Sequence, residues 1–310
     1  MKRLEFALPL LFAAGLAQAD PVTVASCGTE YTYDTPPTRA ITLNQQATEV
    51  MLALGLEGAM IGTAYLDDAI PEVWAEAYAS VPVMAERYPA REVVMAAEPD
   101  FLFAGFASAY NEDNLGAREE WHARGIGTYL VDASCRENHP KDQPFTIAPI
   151  LTDIETIGTI FGVEARASAL AAEMRARLEA VEADPAGAGL SAFIFDSGEE
   201  TPYSVGCCGT PTLLADLVGL DNIAGDVDGT WVELAWERVV AADPDVIVLI
   251  EAEWSTAAEK RAYMEADPVL SALRAVREAR YVTVPFSETL LGMRFADGVE
   301  TLNAQLAALN

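Results

Sequence analysis

Apolar positions along this chain switch between two spacings, and the switches divide it into short segments. Residues 39–44 (RAITLN) read as a strand, and 48–54 then take helical spacing up to Gly55. A second strand is expected over 60–65 and a third over 101–105. A helix over 118–123 is stopped by Gly125, and a fourth strand follows over 128–131. Strands alternating with helices at these lengths predict a mostly parallel sheet covered by helices.

The pattern then changes. From Thr146 to Ala183 helical spacing is nearly continuous, with a break allowed at Gly162. Beyond it, Val163, Ala167, Leu170, Met174, Leu178 and Val181 form one stripe, the spacing of a single helix face. That piece is about 30 Å long at 1.5 Å per residue, the width of a small domain. It stops at the breaker run Asp184-Pro185-Ala186-Gly187-Ala188-Gly189. Strand-like runs resume over 190–196, 246–251 and 281–285, with helices over 212–218 and 298–309. The reading is α/β: a Rossmann-like lobe over 20–145, a helical segment with an inter-lobe spine over 146–185, and a second such lobe over 186–310. A ligand cleft is expected where the carboxyl ends of the two sets of strands meet.

One phrase occurs twice. Residues 91–106 read REVVMAAEPDFLFAGF and 236–251 read WERVVAADPDVIVLIE. Each has a Glu, a short helical run, an acidic-Pro-Asp turn and a buried-looking strand. Glu92 and Glu237, like Pro99 and Pro244, are 145 positions apart. One such unit in each lobe implies a pseudo-symmetric pair. A Glu in the first turn of a helix favours the macrodipole with no partner at all, so either Glu alone says little.

Composition narrows the class. With 51% hydrophobic and 22% charged residues the chain is globular in type. Met1-Lys2-Arg3, the apolar stretch 6–16 and Ala17-Gln18-Ala19 read as a cleaved export signal over 1–19. Removing it takes the formal charge from −29 to −30, because it carries Lys2, Arg3 and Glu5. So acidic a chain argues against nucleic acid or an anionic membrane surface as partner and for solubility. Export permits disulfides. Cys207-Cys208 are either a vicinal disulfide or two thiols; Cys27 and Cys135 both belong to the first lobe; four cysteines allow three pairings. With two histidines, His122 and His139, and no Cys/His cluster, no metal site and no cofactor are expected.

The order of four segments carries a resemblance: TPPTRAITLNQQATEVMLALGLEGAMIGTA (35–64), the two repeats, IETIGTIFGVEARA (154–167) and GTPTLLADLVGLDNIA (209–224). From Val24 to the C-terminus the chain resembles the periplasmic substrate-binding proteins of ABC importers, in the iron-siderophore, haem and cobalamin family. The resemblance implies two lobes joined by one long rigid helix and a non-catalytic, monomeric carrier. It implies capture of an iron chelate, or of a corrinoid or haem, and delivery to an inner-membrane permease. It also implies that Glu92 and Glu237 dock onto that permease.

Ligand residues are expected at strand ends and in cleft-facing loops: Asn44, Gln45, Tyr65, Arg87, Tyr88, Phe106 and Arg136 in the first lobe, and Tyr203, Trp231, Trp254, Phe286 and Arg294 in the second. Aromatic faces give low-entropy contact to a bulky ligand, and arginine forks onto carboxylate or catecholate oxygens. The rival class is a secreted α/β hydrolase, but the chain has neither G-x-S-x-G nor H-E-x-x-H.

Overall fold

A computed structural model describes residues 21–135 and 145–309. The expected leader lies outside them, as does Arg136. An antiparallel hairpin, β1 (Val22–Ser26) and β2 (Thr29–Tyr33), comes first. A five-stranded parallel sheet follows: β3 (Ala40–Leu43), β4 (Met60–Ala64), β5 (Val83–Ala85), β6 (Phe101–Ala104) and β7 (Gly127–Leu130), in the order β5-β4-β3-β6-β7. The central β3 and β6 are buried along their whole length, as continuous apolar runs in a parallel sheet must be.

The second sheet is mixed. Its strands β8 (Ser191–Ser197), β12 (Val246–Glu251) and β13 (Tyr281–Pro285) are parallel, and β10 (Asp221–Asn222) runs parallel to β8. Along one edge β9 (Tyr203–Val205) and β11 (Trp231–Glu233) are antiparallel, a departure from the expected strand pattern. Two strands of three residues carry too little alternation to be seen in sequence.

Helices cover both sheets: α1 (Gln45–Ala53), α2 (Ala75–Ala79), α3 (Arg91–Ala96), α4 (Arg118–His122), α5 (Ala148–Ile160), α6 (Glu164–Ala183), α7 (Thr210–Leu217), α8 (Trp236–Ala242), α9 (Ala257–Ala266), α10 (Arg274–Arg277) and α11 (Phe295–Leu309). Gly162, at φ 69°, turns the chain between α5 and α6 in a conformation that other side chains resist. The 20-residue α6 buries Ala167, Ala171, Met174, Leu178 and Val181. Its Arg177 bonds Glu300 of α11 at 2.9 Å and also pairs with Asp297. One apolar core runs from Phe101 and Tyr129 through Ile154 and Leu178 to Ile194 and Val248, so the two sheets share packing through these helices.

The duplicated phrase now has a physical reading. Asp100 accepts bonds from Thr38 N at 2.8 Å and Arg39 N at 2.8 Å, just before β3. Asp245 accepts from Ser191 N at 2.9 Å and Ser191 Oγ at 2.7 Å, at the start of β8. The returning backbone bond is also repeated: Asp100 N donates to Arg39 O and Asp245 N to Ser191 O. The residues before the prolines, Glu98 (φ 49°) and Asp243 (φ 41°), are both left-handed. In each lobe the aspartate staples its own strand to its parallel neighbour.

The four cysteines pair as Cys27–Cys135 and Cys207–Cys208. The first ties the β1–β2 turn to the loop after β7. The second lies between β9 and α7.

Candidate ligand-binding cleft

The strand ends of the two sheets face one another across two cavities. The inner one, about 210 Å³, is lined by Gln46, Phe106 and Ser134 from the first lobe and Gly209, Thr230 and Trp231 from the second, among others. The outer one, about 480 Å³, is lined by Tyr65, Asp67, Glu86 and Arg87 on one side and Glu253 and Trp254 on the other, among others.

Along the second lobe four aromatic rings form a row, in which Trp231 lines the inner cavity and Trp254 the outer. Tyr203 stacks on Trp231 with ring centroids 6.4 Å apart, Trp231 on Phe286 at 5.9 Å, and Phe286 meets Trp254 edge-on at 4.9 Å. The antiparallel edge places the first two: Tyr203 opens β9 and Trp231 opens β11, within one strand pair. Rings that brace one another lose little freedom when a ligand arrives, and they offer apolar area at low entropic cost. Trp254 is 53% exposed, a large apolar face left open to solvent.

The first lobe answers with a polar-aromatic cluster. Arg87 donates to Tyr65 OH at 2.6 Å, and its guanidinium lies 4.7 Å from the Tyr65 ring centroid. Tyr65 meets Tyr88 edge-on at 4.8 Å. Tyr88 OH donates to Asn44 Oδ1 at 3.1 Å, and Phe106 N donates to the same oxygen at 3.3 Å. Asn44 has no exposed surface. Its Oδ1 therefore aligns two cleft aromatics, while its Nδ2 has no partner among the described residues. Its backbone, at φ 77° and ψ 159°, lies where glycine is usual, and Tyr65 sits at φ 61°. Two strained residues at neighbouring strand ends are held by these bonds, a pattern that clusters at binding sites.

Gln45 and Arg294 are placed differently from expectation. Arg294 is 8% exposed, and its Nε lies 3.0 Å from Glu49 Oε1. Its Nη2 lies 3.8 Å from Asp68, which also accepts from Ser287 N at 3.0 Å. Gln45 accepts from Asp67 N and Asp68 N at 3.1 and 3.2 Å and bonds Glu49. These residues join the lobes beneath the cleft. The cause is the segment between β13 and α11, which folds back over α1 and closes off polar residues that a strand-end rule would leave facing ligand. Burial raises Glu49 to about 7, opposed by Arg294. It raises Glu288 to about 7 as well.

Gln46 follows the first strand directly after Asn44 and Gln45, and it lines the inner cavity. A Cβ at Gly105 or Gly292 would collide with its side chain, so glycines of both lobes make room for it. Its Nε2 donates to Gly105 O at 3.4 Å, and its buried Oε1 has no partner among the described residues. A polar residue following a strand was the only signal that pointed here.

Glu92 and Glu237 are both exposed in the first turns of α3 and α8. Each helix begins a few residues after cleft residues, Arg87 and Tyr88 in one lobe and Trp231 in the other. Among the described residues no helix is long and apolar enough to cross a membrane.

Residues 41–288 match the periplasmic binding protein family. The chain is 26% identical over 288 residues to an uncharacterized ABC transporter substrate-binding lipoprotein, YvrC, of Bacillus subtilis, covering 91% of this chain and 84% of that one. It is 27% identical over 244 residues to a cobalamin-binding protein of Halobacterium salinarum, covering 74% of this chain but 58% of the relative. Among solved structures, a periplasmic binding protein of Veillonella parvula superimposes with a TM-score of 0.81 at 26% identity, covering 93% and 98% of the two chains. An ABC-type Fe3+-hydroxamate transport system protein of Saccharomonospora viridis does so with 0.75 at 27% identity, covering 93% and 99%. The hydrolase alternative finds no support in these relatives. The chain belongs to the periplasmic binding protein family, the non-enzymatic substrate-binding carriers of ABC importers.

Proposed function

We propose that this protein is exported through a cleaved leader, captures an iron chelate of siderophore type between lobes 20–145 and 186–310, and delivers it to its ABC permease as a monomer. The observation that carries this reading is the braced row Tyr203–Trp231–Phe286–Trp254, whose Trp231 shares the inner cavity with Phe106 and whose Trp254 shares the outer one with Tyr65 and Arg87. Such a surface suits a bulky organic complex better than a bare ion. The spine α6 and the shared core keep the lobes' relative motion small. A corrinoid ligand is the second reading, favoured by the halobacterial cobalamin-binding relative.

Delivery uses Glu92 and Glu237, which present one exposed carboxylate per lobe to a two-sided partner. Exposed charges of this kind govern encounter and orientation more than affinity. Calorimetric titration with ferric trihydroxamate, haemin and cobalamin tests the ligand class. Sub-micromolar binding of zinc or manganese alone, with none of the chelates bound, would overturn it. The Glu92→Ala/Glu237→Ala protein should keep its ligand affinity and lose uptake in vesicles carrying the cognate permease. Transport at the parent rate would remove the docking role.

A further inference from the structure

The two cavities differ in charge. Among the described residues that line it, the inner one has no ionisable carboxyl, amine or guanidinium group. The outer one has three carboxyl groups, Asp67, Glu86 and Glu253, against one guanidinium, Arg87, which is already stacked on and bonded to Tyr65. Its aromatic residues are Tyr65, Tyr78 and the exposed Trp254. Indole and phenol faces beside carboxylates form an environment that stabilises a cation and repels an anion. Among the described residues Gln46 Oε1 in the inner cavity and Asp67 Oδ2 in the outer are buried oxygens without hydrogen-bond partners, and Asn44 Nδ2 is a buried donor without one. The Asp67 oxygen is the acceptor that lies in the outer cavity. The Trp231–Phe286–Trp254 ladder joins the two spaces, so one ligand can span them.

We infer that the outer cavity is a cation subsite: the carrier selects ligands that present an ammonium or other positive group to Asp67, Glu253 and Trp254, and discriminates against polyanionic chelates. This deepens the proposed function and rests on the cleft being the ligand site. The formal charge of −29 acts in the same direction, since it draws cations and repels anions during encounter. Within the carrier's ligand range the inference excludes complexes with several free carboxylates or catecholate charges, and favours neutral or cationic ones.

The test uses two matched pairs that differ by one charge on one scaffold. Ferrioxamine B carries a protonated terminal amine, and its N-acetyl form is neutral. Aquacobalamin is cationic, and cyanocobalamin is neutral. Dissociation constants are measured by tryptophan quenching at low and high salt, on the parent, Glu253→Gln and Asp67→Asn. For the pair that binds, the parent should prefer the cation by about fivefold or more at low salt, with the preference shrinking as salt rises. In Glu253→Gln, an exposed and conservative change, the ratio should fall toward one, and in Asp67→Asn it should fall likewise. Binding of both members with equal affinity, or a ratio unchanged in both variants, would overturn the cation subsite while leaving the carrier reading intact. Binding of neither pair would overturn the chelate reading and the subsite with it.

Discussion

The two lobes agree where they hold themselves together and differ where they meet the ligand. Asp100 and Asp245 staple neighbouring strands in the same way, 145 residues apart, after left-handed residues and prolines in the same register. The symmetry ends at the cleft. The first lobe has a wholly parallel sheet and a hydrogen-bonded cluster of Asn44, Tyr65, Arg87 and Tyr88. The second adds the antiparallel edge β9–β11, which supplies half of its aromatic wall. A duplicated framework can thus give strength through its repeated parts and selectivity through its unrepeated ones.

The sharpest way to break the comparison is at the disulfides, one per lobe. Cys27–Cys135 closes a loop spanning 108 positions. Replacing both with serine should cost about 2–4 kcal/mol in denaturant unfolding. Cys207–Cys208 joins neighbours and closes no chain loop, so its double serine variant should lose far less stability. Equal losses would mean that the two bridges do equivalent work and that the asymmetry drawn here is false.

The aspartate staples come next. Asp100→Ala and Asp245→Ala should each cost about 1–3 kcal/mol, the scale of hydrogen bonds to a charged group together with the stranded amides. Their ligand affinities should stay at the parent value. A cost for one and none for the other would show that the repeat is a likeness of sequence without a shared mechanical role.

A smaller effect concerns the joint where the lobes meet. Burial holds Glu49 and Glu288 at about 7 in the folded chain, above the roughly 4.3 of a free glutamate. A raised carboxyl contributes stability that is fully present below the unfolded value and is lost as pH rises through the folded one. The melting temperature should therefore be higher near pH 5.5 than near pH 8.5, and Glu49→Gln should flatten that slope. A melting temperature that rises with pH across this window would contradict the assignment.

How much of this was legible in sequence follows from length and distance. The parallel strands, α6 and its stripe, and the duplicated phrase each extend over enough residues to declare their period. The three-residue β9 and β11 do not, so Tyr203 and Trp231 read as loop aromatics when they belong to two antiparallel strands. Arg294 and Gln45 read as cleft groups because they follow strands. That they are buried depends on the segment before α11 meeting α1 across more than 200 positions, as in the Arg294–Glu49 pair. Gln46 was legible as a polar residue after a strand, but the room that glycines of both lobes leave for it was not.

The central claim is that the unrepeated aromatic wall binds the ligand, and Trp231 is its most direct test. Ferrioxamine B, haemin and the two cobalamins are titrated into the parent and into Trp231→Ala, alongside thermal melts. The account predicts that the parent binds at least one of them below micromolar. It predicts that Trp231→Ala weakens that binding by about tenfold to a hundredfold, the cost of losing a braced aromatic anchor, with the melt little changed. A probe held equally tightly by both proteins, or a parent that binds none of the four, would contradict it.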